Sequence, residues 1–599
     1  MVLNTHRDTL VRCGRWARIL GLLLLSGCSA LPHLGPTARS VASEQLLSAA
    51  SNETGSKPEA AKLMSCEEYA DQVAVAALSI LAIDRRGHYL PVKFNDRECV
   101  DSETIKKYNH PGYEKDKLNL SDSKHYGEQH VENIVRKIKQ DMASTVLIYI
   151  HGGLNTRENG LGRAIAHANM IREYDNSIYP IFINWVSDGL DAYTDQVFNN
   201  HQGNFDVPYK HTTSPLYFLA DIGEGVVRGP ATMTKSIKRL ADSGAEDFTS
   251  PANIYCRDEK GNDPDKYEQS PGFVCSQEGS REDVASLFQT IRFASMAPVT
   301  VLTSPFADSF GKTAWDAMVA RTQVMFHPPE EFTGLPDPKR GSTGSGALAT
   351  LLEKLQEKIG KHIVDPKKGE VCPSHRRIED RPSQCENKTR VWIIGHSMGT
   401  IVANEILVRF PYLPYSHIVY MGGAASIKDT VRSIDAAMSY NGRVKFHNLS
   451  IHPFLEAREF NGGGTVPPGT LLEWIDDMYT VPSTMLDRTV GQWRNVFAAQ
   501  HVFRMDLRTS GRMIFKRFGL SCRNPIHHGD FDEILPDCTV EGRKVTPLRY
   551  WQQEYWTVPE PKATAADRRP TRIQRVRASR SALGDRQSRG PFAAIGESS

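Results

Sequence analysis

The chain has 599 residues, 40% of them hydrophobic and 24% charged, with 72 basic against 70 acidic side chains. That is enough apolar material for one large domain with insertions, or for two domains. A net charge of +2 gives no electrostatic footprint for nucleic acid, so that class of partner is set aside.

At the N-terminus Arg7, Arg12, Arg15 and Arg18 precede the apolar run from Ile19 to Leu25. The run is too short to span a bilayer as a lasting helix and reads as a secretion signal. It ends in Leu25-Ser26-Gly27-Cys28, which resembles a bacterial lipobox. The resemblance implies a signal peptide over 1–27, cleavage before Cys28, and acyl chains such as palmitate on that cysteine. Ser29 in place of an aspartate implies, by the same likeness, the outer membrane of the cell envelope. The Ser-, Ala-, Gly- and Pro-rich stretch 28–63 suits a flexible tether.

Ordered structure is expected from 64 to 558. Ala74 to Ile83 is compatible with strand or helix, and Tyr89 to Phe94 with a short strand, together an opening hairpin-like region. Val146-Leu147-Ile148-Tyr149-Ile150 is a buried-strand run that ends in the glycine loop His151-Gly152-Gly153-Leu154. Leu161, Ala164, Ile165, Ala168 and Ile171 then recur at helical spacing, and Tyr179 to Trp185 reads as another buried strand. Strand, helix, strand is a parallel unit.

Residues 186–345 form an insertion far longer than an ordinary connection, read as a cap over the site. Thr232–Leu240 and Asp283–Phe293 look helical within it, while Ala297–Leu302 is ambiguous. Gly341 to Gly346 lacks the Lys-Ser or Lys-Thr of a phosphate loop and reads as a hinge. After a helix through Leu348, Leu351, Leu352, Leu355 and Ile359, the strand Val391-Trp392-Ile393-Ile394 drives into Gly395-His396-Ser397-Met398-Gly399 and then a helical run. This G-x-S-x-G between strand and helix lifts a strained serine out of the sheet, which makes Ser397 the candidate nucleophile. The amide of Met398, with one from Gly153 or Leu154, is placed to form an oxyanion hole. Alternation continues through His417–Met421, Val431–Met438 and Val444–Ile451. The tail 559–599 is rich in arginine, poor in apolar residues and expected to be disordered.

The glycine loop, the elbow and the alternation around them resemble the α/β-hydrolase superfamily, over about 74–185 and 347–556. The resemblance implies an α/β fold, a mostly parallel sheet flanked by helices, with the large insertion before the elbow half. It places an acid after a strand downstream of the elbow and a histidine later still. His528 in Asn524–Asp532 is the chosen base, with His527 and His501 as rivals. Glu456 is the chosen acid, with Glu459, Asp476 and Asp477 behind it, and His452 is poorly ordered for the base. Metal and cofactor are not called for.

Of the ten cysteines, Cys13 falls in the signal and Cys28 at the anchor. The other eight fall into sequence-adjacent couples, giving the expected disulfides Cys66–Cys99, Cys256–Cys275, Cys372–Cys385 and Cys522–Cys538. The expectation is a lipid-anchored envelope serine hydrolase that cleaves carboxylic or lipid-like esters through an acyl-enzyme. The alternative is a non-catalytic envelope lipoprotein using the same scaffold to bind partners.

Overall fold

The computed structural model describes residues 66–94, 108–115, 120–153, 155–198, 200–201, 204–205, 210–244, 271–276, 287–327, 346–360, 389–459, 468–480, 482–540 and 542–557. Helix α1 (Cys66–Ala77) leads into strand β1 (Ile80–Ile83). Helix α2 (Leu120–Gln140), β2 (Thr145–Ile150), α3 (Arg157–Tyr174) and β3 (Ile178–Trp185) follow. The insertion then supplies α4 (Gly189–Phe198), the long α5 (Lys210–Gly244), a three-residue strand β4 (Phe273–Cys275) and the long α6 (Leu287–Val324). The remainder runs α7 (Ala347–Leu355), β5 (Arg390–His396), α8 (Gly399–Arg409), β6 (Tyr415–Met421), α9 (Ile427–Tyr440), β7 (Lys445–Ser450), α10 (Pro453–Arg458) and β8 (Met513–Arg517).

The eight strands form one sheet in the order β1-β3-β2-β5-β6-β7-β8-β4, with every neighbouring pair parallel. A parallel sheet needs both faces covered, which is why its strands read as unbroken apolar runs rather than alternating ones. Thr145–Ile150 and Ile178–Trp185 are buried at every position. Successive side chains still go to opposite faces. Val146, Ile148 and Ile150 join the core with residues of α2, α7, α8 and α9, whereas Leu147 and Tyr149 join the core with α1, α3, α10 and the aromatic segment Tyr550–Trp556.

Two expectations are corrected. The opening region is a helix and a parallel edge strand, after which the chain turns back on that strand in one hairpin-like antiparallel bridge. Tyr89–Phe94 forms no strand, and meets β1 only through a single bridge between Ile83 and Tyr89. The insertion is more than a cap: Phe273–Cys275 pairs with Phe515–Arg517 as the eighth strand of the main sheet, and Trp315, Met318, Met325 and Phe326 are buried in its core. Ala297–Leu302, ambiguous in sequence, lies inside α6.

Gly346 is the N-cap of α7, where a Cβ would stand 2.1 Å from the Met325 carbonyl oxygen; the rest of the hinge expected over Gly341–Gly346 lies outside the described residues. The tether, Cys28 and the arginine-rich tail lie outside the described residues, which end at Thr557. Among the described residues no helix is long and apolar enough to cross a membrane.

Candidate active site

Ser397 sits between the end of β5 and the start of α8 with φ of 51°, in the left-handed region that L side chains avoid at a cost of about 1–2 kcal/mol. The surrounding backbone holds it there. Its amide donates to the Met421 carbonyl (2.9 Å), and its carbonyl accepts from the Thr400 and Ala424 amides (3.1 and 3.0 Å) and from the Thr400 hydroxyl (2.7 Å). These bonds keep the residue in its strained conformation. The Ser397 Oγ, by contrast, is buried with no hydrogen-bond partner.

Glycine is required on both sides of the turn. A Cβ on Gly399 would lie 2.2 Å from the Ile150 carbonyl oxygen, and one on Gly152 would lie 2.8 Å from the Ser397 Cβ. The two motifs that were separate in sequence therefore pack directly together, because register sets Ile150 opposite Gly395 at the ends of β2 and β5. Gly153 lies against Met398, whose Sδ would be 3.3 Å from an added Cβ. Of the expected oxyanion donors, Met398 and Gly153 are thus brought to the same corner as Ser397. Leu154 lies outside the described residues.

His151 fixes the glycine loop. Its Nε2 accepts from the Trp185 amide (3.2 Å), so the hydrogen must be on Nδ1, which donates to the Gly152 carbonyl (2.8 Å). Burial lowers its pKa to about 4, keeping that neutral tautomer. Ser187 and Asn155 also donate to the Gly152 carbonyl (3.1 and 3.0 Å), which holds that oxygen away from the serine.

His528 enters from the loop after β8. Its ring lies against Gly422, where an added Cβ would meet Cε1 at 2.9 Å and Nδ1 at 3.0 Å. Gly422 follows Met421, the residue that accepts the Ser397 amide. The ring is buried and its Nε2 has no hydrogen-bond partner. Burial, and then the His396 charge, lower its pKa to about 3 against the opposing pull of Asp532. The ring is therefore held in its neutral form, with a pKa below the range in which a general base works best.

The His528 backbone is tied from two directions. Its amide donates to Glu459 Oε2 (2.7 Å), and its carbonyl accepts from His396 Nε2 (3.0 Å). His396 Nδ1 meets Asp532 Oδ2 (3.1 Å), and the same carboxylate oxygen takes Arg163 Nη1 (2.5 Å) and the Tyr149 hydroxyl. Burial alone would raise the Asp532 pKa, but Arg163 and His396 hold it well below the usual carboxylate range. Sequence reasoning missed this hub. Asp532 was visible only as a loop residue, and nothing in its spacing points across the fold to His396 and Arg163.

The rival residues have other work. His527 and His501 are exposed. His452 caps α10, its Nδ1 accepting from the Phe454 amide (3.1 Å), and burial drives its pKa to about 2. Asp476 accepts from the Thr489 amide (2.8 Å), Gln492 Nε2 (2.8 Å) and Asn495 Nδ2 (2.7 Å), organising the loop whose Gly491 amide bonds the Gly423 carbonyl (2.7 Å). Asp530 accepts from the Ile526 and His527 amides (3.0 and 2.8 Å) and shapes the histidine loop. Asp477 is paired at longer range with Arg488 (3.8 Å).

Glu456 is fully buried in the first turn of α10, just past the end of β7. Of this helix region, it is Glu459 that reaches the His528 backbone.

A disulfide joins Cys522 to Cys538 with Cα atoms 6.2 Å apart, closing the loop that carries His528. Cys275 is also disulfide-bonded. Cys99, Cys256, Cys372 and Cys385 lie outside the described residues, and of Cys66 only the backbone is described.

No family model, no curated protein and no solved structure matches the chain.

Proposed function

We propose that this protein is a serine hydrolase of the α/β-hydrolase type, cleaving carboxylic esters through an acyl-enzyme. Its architecture is an α/β fold with a large parallel sheet flanked by helices. The order of the site residues along it, nucleophile after β5, acid after β7, base after β8, is the order expected of that type. The observation that carries the reading is Ser397 itself: a non-glycine residue at positive φ, at a strand-to-helix turn, with a buried hydroxyl kept free of other partners.

In this mechanism His528 removes the Ser397 proton as the hydroxyl attacks the ester carbonyl. The amides of Met398 and Gly153 receive the developing oxyanion, which collapses to the acyl-enzyme as the His528 imidazolium gives its proton to the departing alcohol; water deprotonated by the same ring then attacks the acyl group, releasing the carboxylic acid and returning the proton to Ser397. Glu456 is assigned as the acid that stabilises the imidazolium, with Glu459 as its rival. The lipobox-like Cys28 places the protein on a membrane of the cell envelope, the outer one by the residue that follows it.

No hydrogen bond joins Ser397 Oγ to the His528 ring. That observation favours the second reading, a non-catalytic scaffold for partner binding. Catalytic hydrogen bonds often tighten only when substrate is bound, so it does not displace the first. A fluorescent fluorophosphonate separates the two. Rapid labelling that vanishes in Ser397→Ala supports the hydrolase; a folded protein that is not labelled sinks it.

A further inference from the structure

Part of α5 carries its polarity inside out, whereas α6 buries Trp315 and Met318 and leaves Lys312 and Asp316 towards solvent. On α5, Leu219, Val226, Val227 and Ile237 are 60%, 64%, 81% and 56% exposed. At about 100° per residue, Leu219, Val226 and Ile237 share one stripe with the exposed Pro230, and Val227 lies beside it. On α6, Leu302 is 65% exposed.

Among the described side chains of α5, Asp221, Arg228 and Lys235 turn the other way, while Glu224 is 46% exposed. Asp221 accepts from Tyr193 (3.1 Å) and Thr313 (3.2 Å), Arg228 binds Asp308 (3.3 Å) and the Met478 carbonyl (3.1 Å), and Lys235 donates to the Asp477 carbonyl (2.5 Å). The seam between the helices is small and polar. Thr232, Ser236, Thr300, Ser304 and Asp308 are buried there, and a Cβ on Gly225 would meet the Pro305 carbonyl oxygen at 3.0 Å.

Small and hydroxyl residues inside, with aliphatic residues outside, is how helices pair when the medium around them is apolar. A helix facing water places these groups the other way round. The stretch from Phe293 to Ala307 on α6 also carries no charged residue.

We propose that α5 and the adjoining part of α6 form a lipid-docking helix pair, whose aliphatic stripe lies in the outer part of a bilayer. Neither helix is apolar enough to cross it, so the pair enters one leaflet and stays at the interface. A second copy of the chain would also cover the stripe, but would give no reason for a polar, small-residue seam behind it. The proposal stands apart from the assignment of Ser397 and from the acylation of Cys28.

The test uses the full chain on vesicles of phosphatidylethanolamine and phosphatidylglycerol doped with a diazirine-bearing phospholipid. After irradiation, lipid adducts are mapped by mass spectrometry. Adducts are expected on the peptides carrying Leu219 to Ile237 and Leu302, and are expected to be lost in Leu219→Gln/Val226→Gln/Val227→Gln with circular dichroism unchanged. Adducts confined to residues 1–65, the signal and tether, overturn the docking proposal while leaving the anchor intact. A vesicle-independent dimer that the triple variant dissolves also overturns it, assigning the stripe to a second copy. Should the triple variant unfold, Val227→Lys alone serves, since that side chain is the most exposed of the stripe. Fluorophosphonate labelling of the same samples reports separately on Ser397.

Discussion

Replacing Asp532 with asparagine keeps its shape and removes its charge, leaving Arg163 and His396 facing a neutral amide in a buried site. Asp532 is 1% exposed and bonds Arg163 at 2.5 Å and His396 at 3.1 Å. Removing one partner of such a buried pair costs about 3–5 kcal/mol. For a domain of this size, a Tm drop of roughly 3–10 °C at pH 7 is expected. The folded pKa of Asp532 is depressed, so its contribution is fully present above the unfolded value of about 3.9 and is lost only as pH falls through the lower folded one. The gap in Tm between parent and Asp532→Asn should therefore stay constant from pH 8 to pH 5. Catalysis should suffer as well, because His396 loses the acceptor that aims its other nitrogen at the His528 carbonyl. A displacement of about 1 Å at His528 slows phosphonylation by about a hundredfold. Scanning calorimetry across that pH range, with labelling rates at pH 7, measures both effects. An unchanged Tm and labelling rate would refute the hub.

Other perturbations act on separate parts. Gly399→Ala puts a methyl group into the Ile150 carbonyl and should cost about 3 kcal/mol or more, read as a lowered urea midpoint; a midpoint within error of the parent contradicts the close packing of the two motifs. Cys522→Ser/Cys538→Ser opens a loop of sequence separation 16, costs about 3 kcal/mol and should slow labelling by slackening the His528 segment, whereas equal rates would show that the brace is irrelevant to the site. Buried histidines should make the fold acid-sensitive. His151, His130 and His417 titrate near 4, and His167 and His528 near 3, against about 6.5 unfolded. The unfolded chain binds more protons in that window, so stability is full above about pH 6.5 and falls below it, by up to about 1.4 kcal/mol per pH unit for each ring. A Tm that is flat between pH 7 and pH 5 is the contrary result.

The elbow and the glycine loop were legible because their chemistry is local: apolar runs buried on both faces lead into glycines whose absent side chains make the turn. His528 was chosen through chain order and its polar loop, and the structure sets its ring against Gly422, next to the residue that accepts the Ser397 amide. What could not be read was whatever depends on residues distant in sequence coming together. Asp532 meets Arg163 across a separation of 369 residues and His396 across 136, and no periodicity records either meeting. The strand Phe273–Cys275 was missed for a different reason, since three residues are too few to show a pattern. The acid was chosen by order along the chain, and α10 and its C-cap supply Glu456 and Glu459, near enough in sequence that spacing does not choose between them.

That short strand protects its neighbour from other molecules. Without it, β8 would present Phe515, Lys516 and Arg517 as an open row of backbone donors and acceptors, the template on which separate chains add to one another. Because Phe273 is synthesised long before Phe515, β4 has to wait for its partner and is already present when β8 emerges. Three residues thus form the outermost strand of an eight-stranded sheet, and the disulfide at Cys275 ties their end down. Reducing that disulfide should loosen the cover over β8 before it disturbs the strands at the centre of the sheet.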